Sequence, residues 1–293
     1  MKQLTVNEYL KEKYGKKLYK VSINAGFTCP NRDGTLGERG CIFCSAGGSG
    51  EFAGQPSRSI TQQIEEGKKR VAAKLPKGEY GLIAYFQAFT NTYAPVPVLQ
   101  ERYLEALRHP EVEILSIATR PDCLGDDVLE LLSECNRIKP VWVELGLQTI
   151  HEHTAQYIRR GYPLAVYDDA MSRLKERGIE TIVHVILGLP GETKEDMLES
   201  VQYVGKSGAS GIKLQLLHVL RNTDLAKEYA AGRFECLTME EYGQLLKEAL
   251  DLLPPNIVIH RMTGDGDKKI LIAPEWSKDK KRVLNYLKTI LLD

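Results

Sequence analysis

The chain has 293 residues, 43% hydrophobic and 27% charged, and 39 Lys and Arg balance 39 Asp and Glu to a net charge of zero. This is ordinary globular composition, which excludes a fibrous or disordered chain. The neutral balance excludes an overall electrostatic footprint for nucleic acid and leaves only local patches open.

The first 20 residues carry no apolar h-region, and no apolar window approaches about 18 residues, so neither a signal peptide nor a membrane span is expected. A cytoplasmic enzyme-sized chain is the starting expectation. Residues 1–17 read as a basic N-terminal extension. Apolar, β-branched runs follow at 19–23, 81–86, 113–118, 141–147, 181–188, 212–219 and 257–262. Their continuous apolarity suits parallel strands covered by helices. Helical spacing appears between them, over 60–75 through Ile60, Ile64, Val71 and Leu75, and over 126–135 through Val128, Leu131, Leu132 and Cys135. After Gly191, Thr193 reads as an N-cap before Met197, Leu198, Val201 and Val204. An amphipathic helix over 237–253 is stopped by Pro254 and Pro255. The alternation predicts an α/β fold, either a barrel or an open wound sheet. Residues 18–262 read as one barrel-like domain, with a loop and basic helix over 263–293. In such folds chemistry sits at the C-terminal ends of the strands.

Directly after the first strand, Cys29, Cys41 and Cys44 form a C-x11-C-x2-C loop rich in Gly and polar residues. Cys123, Cys135 and Cys236 are scattered and read as small buried hydrophobes. Three thiolates on one loop make a metal or cluster site. Structural zinc needs a fourth ligand, and a zinc knuckle closed by a distant residue is one reading. Three ligands also fit a four-iron cluster with one iron open, whereas an electron carrier usually has four Cys.

The Cys loop, with Phe43 just before its last Cys, resembles the radical S-adenosylmethionine (SAM) superfamily. The long first gap departs from the common C-x3-C-x2-C spacing. It is similar to the branch holding the Elp-three-type tRNA wobble-uridine enzymes and the YhcC/YtqA-like bacterial proteins. The resemblance implies a partial (β/α)6 barrel of parallel strands, a [4Fe-4S] cluster on Cys29, Cys41 and Cys44, and SAM on the open iron. An electron from an external donor then cleaves the sulfonium C–S bond, and the resulting radical abstracts a substrate hydrogen. The protein supplies position, orientation and exclusion of water.

Further motifs extend the likeness. After the second strand, Gln87, Phe89 and Thr90 stand where the superfamily places a glycine-rich turn that meets the SAM amino group. GLQT (146–149) followed by RRG (159–161) resembles the GVQS…R pattern of oxygen-independent coproporphyrinogen oxidase and its relatives. It assigns Gln148 and Arg160 to the SAM ribose and carboxylate, a sensible task for an amide and a forked guanidinium. Arg159 is the one-residue rival. GLPGET (188–193) resembles the GLPGQT run of the same relatives, which puts Ile186 on the adenine and His184 where they often carry Asp. Lys213 and Gln215 share one face of the sixth strand, as inward candidates for substrate or cofactor. Arg120, Asp122 and Arg261 sit at strand ends. The Thr263-Gly264-Asp265-Gly266-Asp267 loop reads as a lid and has too few acids for a Ca²⁺ loop.

The resemblance further implies tRNA as substrate, and for the YtqA-like branch conversion of a carboxymethylaminomethyl group on the wobble uridine toward aminomethyl. Residues 1–20 carry net charge +4 and residues 268–288 net charge +5, so both basic ends are expected to flank the barrel mouth. The alternatives are a radical SAM enzyme acting on a small molecule such as a porphyrin precursor, and a non-catalytic zinc-knuckle nucleic-acid module.

Overall fold

The computed structural model describes residues 3–71, 79–264 and 266–292. Its strands are β1 (Lys17–Ile23), β2 (Tyr80–Phe86), β3 (Val112–Thr119), β4 (Val141–Gln148), β5 (Glu180–Leu187), β6 (Gly211–Leu216), β7 (Val219–Leu220), β8 (Val258–Arg261) and β9 (Leu271–Ala273). Its helices are α1 (Val6–Tyr14), α2 (Ile60–Val71), α3 (Val96–Arg108), α4 (Asp126–Ile138), α5 (Glu152–Tyr157), α6 (Leu164–Glu176), α7 (Lys194–Lys206), α8 (Asp224–Ala230), α9 (Met239–Leu252) and α10 (Lys280–Leu292).

All seven predicted strands join one parallel sheet in the order β1-β2-β3-β4-β5-β6-β8. Crossover helices cover its outer face with Leu, Ile and Val, as the continuous apolar runs require. The sheet is curled. Lys20 on β1 reaches Glu144 on β4 at 2.8 Å, although three strand spacings in a flat sheet would separate them by about 14 Å. The fold is thus an α/β partial barrel, open between β1 and β8.

Alternation along each strand builds the interior in layers. Leu18, Ile83, Ile114, Trp142 and Ile182 fill the bottom, and Leu10 of α1 seals it from below. Above them lies a polar layer of Lys20, Tyr85, Ser116, Glu144, His184 and Lys213. Helix termini follow their caps. Thr193 forms the expected N-cap of α7, in a capping box with Asp196, and a Thr238–Glu241 box opens α9.

Three expectations change. The run 212–219 is not one strand: the chain leaves the sheet after Leu216, and β7 pairs antiparallel with β9. The predicted helix over 60–75 is α2 as far as Val71, and its residues 72–75 lie outside the described residues, as does Asp265. The basic N-terminal segment does not flank the mouth. Lys13 pairs with Glu180 and Lys16 with Glu113, each at 2.5 Å. Glu180 opens β5 and Glu113 is the second residue of β3, so these lysines sit at the closed bottom.

Candidate active site

The Cys loop folds on itself. Asn31 and Arg32 turn it back, so that the Gly40 amide donates to the Asn31 carbonyl at 2.7 Å. The Arg32 guanidinium donates to the Cys44 and Ser45 carbonyls at 2.9 and 2.6 Å. It lies against Gly40, whose φ of +73° and lack of a Cβ permit the approach. The eleven-residue gap is therefore a stapled Ω-like turn that returns Cys41 beside Cys29. Asn31 Nδ2 donates to the Arg159 carbonyl at 2.7 Å and reaches Cys41 Sγ at 3.5 Å, tying the loop to the segment after α5.

The three thiols line a cavity at the C-terminal ends of the strands, with about 1510 Å³ of empty space open to solvent. Burial pushes the Cys41 thiol up to about 12, with Cys44 adding to the shift and Arg120 opposing it. Burial also raises Cys44, against the pull of Arg32. Such thiols are inert as nucleophiles and suit a metal, which deprotonates its ligands outright. Tetrahedral zinc at about 2.3 Å from each sulfur would hold the sulfurs about 3.8 Å apart. Among the described residues, the trios whose ligand atoms converge within 4.8 Å are Glu65–His109–Glu111 and His151–Asp196–Glu199, not the cysteines. A wider spread fits a cluster, in which each thiolate takes its own iron. Cys123 lines a separate pocket with Thr92 and Tyr93.

Every residue singled out for cofactor binding also lines this cavity: Gln87, Phe89, Thr90, Gln148, Arg160, His184, Ile186 and Gln215. Their side chains do different things. Gln87 Nε2 donates to the Ser49 carbonyl at 2.7 Å, and the Phe89 amide donates to the Gly48 carbonyl at 2.9 Å. Phe89 has φ +62° and packs over Gly48. These two residues brace the tail of the Cys loop. Thr90 is buried, its amide bound to the Thr28 carbonyl. Ile186 belongs to an apolar cluster with Ile42 and Ile158.

Gln148 follows a bulge in β4 and has φ +70°. A non-glycine residue held there costs on the order of 1 kcal/mol, and such strain gathers at functional sites. Its Oε1 is buried with no hydrogen-bond partner among the described residues, and the residue lines the cavity, so an acceptor is left for a ligand hydroxyl or amine.

Arg160 is only 2% exposed, and its donors are engaged within the chain. Nη1 donates to the carbonyls of Leu147 and Thr149, which flank Gln148, Nε to that of Tyr162, and Nη2 to Glu152. It clamps the strained turn that presents Gln148, so direct reach to a ligand carboxylate is not what this geometry offers. Arg159 instead pairs with Asp224 at 2.7 Å. Arg160→Ala is expected to cost about 3 kcal/mol or more of stability in denaturant melts, since buried carbonyls lose their donors.

Sequence reasoning missed Glu144. It is fully buried and accepts from Lys20 and His184 at 2.8 Å, from Ser116 at 2.7 Å, and from Lys213. Burial alone would raise its pKa, but Lys20 and Lys213 outweigh this and hold it well below the usual carboxylate range. Burial, reinforced by Lys213, lowers His184 to about 4. At neutral pH His184 is therefore uncharged and donates from Nε2, because a carboxylate can only accept.

Unfolded His takes its proton near pH 6.5 and folded His184 only near 4. As pH falls through that window the unfolded state binds more protons, and stability is lost. His184→Gln is expected to flatten the fall in urea midpoint between about pH 7 and about pH 5.5, the window its unfolded pKa opens. An unchanged slope would remove His184 as its source.

The family model described as the Radical SAM superfamily matches residues 28–204, the stretch that carries this loop and cavity. The chain belongs to the radical SAM superfamily. A Radical SAM C-terminal domain model matches residues 209–292. The uncharacterized protein YtqA of Bacillus subtilis is 45% identical over 283 residues, covering 97% of this chain and 87% of the relative. Protein YhcC of Escherichia coli is 37% identical over 272 residues, 92% of this chain and 86% of the relative. Elongator complex protein 3 of Schizosaccharomyces pombe is 28% identical over 156 residues, only 52% of this chain and 28% of the relative. The solved archaeal Methanocaldococcus infernus Elp3 with N-terminus deletion superposes with a TM-score of 0.68 at 16% identity, covering 94% of this chain and 63% of that one. These likenesses group the chain with YtqA and YhcC, with a more distant and partial similarity to elongator complex protein 3.

The protein is thus a radical SAM enzyme, with a [4Fe-4S] cluster and SAM as its cofactors. The non-catalytic zinc-knuckle reading falls with that membership. The residues present fit the cofactors: three thiols on one cavity wall, with burial acting on Cys41 and Cys44 and with Arg32 and Arg120 beside them, and Gln148, which lines the same cavity with an unpartnered buried acceptor. No described helix is long and apolar enough to cross a membrane.

Proposed function

We propose that this radical SAM enzyme acts on the wobble uridine of tRNA, converting a carboxymethylaminomethyl group toward aminomethyl. One observation carries the reading. A groove lined by Lys268, Lys269, Lys278, Lys280 and Phe52 shares Gly264 and Gly266 with the wall of the thiol cavity. Phe52 is 51% exposed. Lysines with an aromatic face suit single-stranded nucleic acid, whose backbone they track and whose bases stack. The kinship with elongator complex protein 3 points the same way, and the relatives do not favour a porphyrin precursor.

Cys29, Cys41 and Cys44 would hold the cluster, and Gln148 would meet SAM. Arg160 would act as a positioning residue, with Gln87, Phe89 and Thr90 shaping the amino-group side. Ile186 would offer an apolar wall to the adenine, with Gln215 as a polar contact beside it and His184 beneath. When bound, the cofactors supply one-electron cleavage of a C–S bond and hydrogen abstraction from the substrate, with the electron coming from an external donor. The chain itself orients the target and keeps water away. The wobble base must leave its stack to enter.

The test compares modified nucleosides in tRNA from cells with and without the gene. Loss of aminomethyl-type products with build-up of the carboxymethylaminomethyl form is expected. An unchanged nucleoside profile would refute the tRNA reading.

A further inference from the structure

Outside the thiol cavity, His151-Glu152-His153 opens α5 just beyond the strained Gln148, and Asp196 and Glu199 stand three residues apart on one face of α7. The fold brings these two segments together. Ligand atoms of His151, Asp196 and Glu199 all lie within 4.8 Å of one another. His151 Nε2 is 3.8 Å from Asp196 Oδ1, and the centroids of the His151 and His153 rings are 6.0 Å apart. His153 and Glu199 are exposed, so the group opens to solvent.

These side chains are disposed as donors. Asp196 Oδ2 accepts from the Thr193 amide and hydroxyl at 2.8 and 2.9 Å, which fixes the carboxylate and leaves Oδ1 on the side of His151. His151 Nε2 donates to the Asp196 carbonyl at 2.9 Å. A neutral imidazole can carry its proton on Nδ1 instead, which frees Nε2 as a ligand. Among the described residues, Asp196 and Glu199 have no lysine or arginine partner. The trio Glu65–His109–Glu111 differs. There Glu111 already accepts from Lys68 and Tyr80, and Glu65 accepts from His109, so an ammonium stands where a metal would. Beside the His151 group, Glu192 buries an Oε2 that has no hydrogen-bond partner among the described residues. It is close enough for His151 and Asp196 to act on it electrostatically.

We propose that His151, His153, Asp196 and Glu199 form a site for a divalent transition metal, zinc before others, separate from the cluster. Two imidazoles and two carboxylates are a zinc donor set, held about 2.0 to 2.2 Å from the ion and therefore about 3.4 Å from one another. Small side-chain rotations bring the observed 3.8 Å to that value. The imidazoles disfavour magnesium and calcium, which take oxygen ligands. An ion here braces the turn that presents Gln148 against the first turn of α7. Two hydrogen bonds already join these segments, from the Ile150 amide to the Ser200 hydroxyl at 3.2 Å and from the Thr149 hydroxyl to Glu192.

The test uses the cluster-loaded protein, so that the three cavity thiols are occupied, and zinc alone as the probe. Equilibrium dialysis against buffered free zinc, read by elemental analysis, is expected to give about one zinc per chain beside the cluster iron at micromolar free zinc. His153→Ala and Glu199→Gln should each weaken zinc binding at least about tenfold, a loss that even outer partners of a metal site can cause. Both residues are exposed, so the fold and the cluster absorption should be unchanged. Excess magnesium should not compete. Binding should weaken below about pH 6.5, where imidazoles take up protons. Zinc should also raise the melting temperature of the wild type more than that of either variant at the same concentration. It should slow hydrogen exchange at the amides of residues 149–155 and 194–200, which reads the brace directly.

Absence of zinc beside the cluster iron overturns the proposal, as does zinc held equally by the wild type, His153→Ala and Glu199→Gln. Zinc lost on His109→Gln but kept in those two variants would assign the metal to the other trio and overturn this site. Displacement by magnesium would show a general acidic patch and overturn the zinc assignment. Zinc that binds and is lost in both variants, yet leaves the exchange of residues 149–155 unchanged, keeps the site and overturns the brace. None of these outcomes depends on the substrate, so the tRNA reading stands or falls separately.

Discussion

Replacing Cys29, Cys41 or Cys44 singly with Ala is expected to strip the purified protein of most of its iron and sulfide and of its visible cluster absorption. Reductive cleavage of SAM should vanish with them. The corresponding changes at Cys123, Cys135 and Cys236 should leave all three readouts near wild type. The physical ground is the separation of the two sets. The first three thiols line the cavity on one loop that Arg32 and Asn31 staple shut. Cys135 is buried in the helix–sheet core, Cys236 packs against the apolar cluster around Leu217, and Cys123 lies in the neighbouring pocket. Cys123 makes the sharp test, because it feels the charge of Cys29. If Cys123→Ala lost iron as Cys29→Ala does, the site would have four thiolate ligands, leaving no iron open for SAM. Arg32→Ala should give an intermediate result, with slower cluster assembly, because it removes the two bonds that close the loop without removing a ligand.

The sequence made some of this legible and hid the rest for identifiable reasons. The strands could be read because each is buried on its outer face and its β-branched run is long. The Cys loop could be read because three thiols in a polar segment have no packing explanation. Glu144 was hidden inside the apolar run 141–147, and its partners Lys20 and Lys213 lie 124 and 69 residues away in sequence. A signal did exist. Period-two alternation puts Trp142, Glu144, Gly146 and Gln148 on one face, and a carboxylate in mid-strand requires a buried cation. Arg160 shows a different limit. Its spacing from Gln148 was informative, but spacing alone does not distinguish an arginine that reaches a ligand from one that clamps the turn presenting another residue. The break after Leu216 was hidden because apolar residues continue through Leu217 and Val219, which pack into the cluster above the loop rather than into the sheet.

Charge counting had the same blindness to direction, and the two basic ends now part company. On the proposed tRNA reading, neutralising Lys278, Lys280, Lys281 and Arg282 together to Gln is expected to weaken tRNA binding and flatten its salt dependence. The slope of log K against log salt should fall by roughly 0.7 to 0.9 for each phosphate that the variant no longer neutralises. Lys278 and Lys280 line the groove that adjoins the thiol cavity, and Lys281 and Arg282 are exposed at the start of α10 beside it. The fold should tolerate the change, because the ion pair of Lys278 with Glu275 is exposed and contributes little. Lys13→Gln with Lys16→Gln should leave tRNA affinity unchanged, since both side chains pair with acids at the barrel bottom. SAM cleavage without tRNA should survive in either variant, because the three cysteines lie elsewhere. Phosphate contacts position an RNA without reading its sequence, so the four-site variant should lose affinity for all tRNAs alike. If it bound tRNA with an unchanged salt slope, the groove would be a solvated face only. If the Lys13 and Lys16 changes weakened binding instead, RNA would have to reach the closed end of the barrel, and the entry route through the mouth would be wrong.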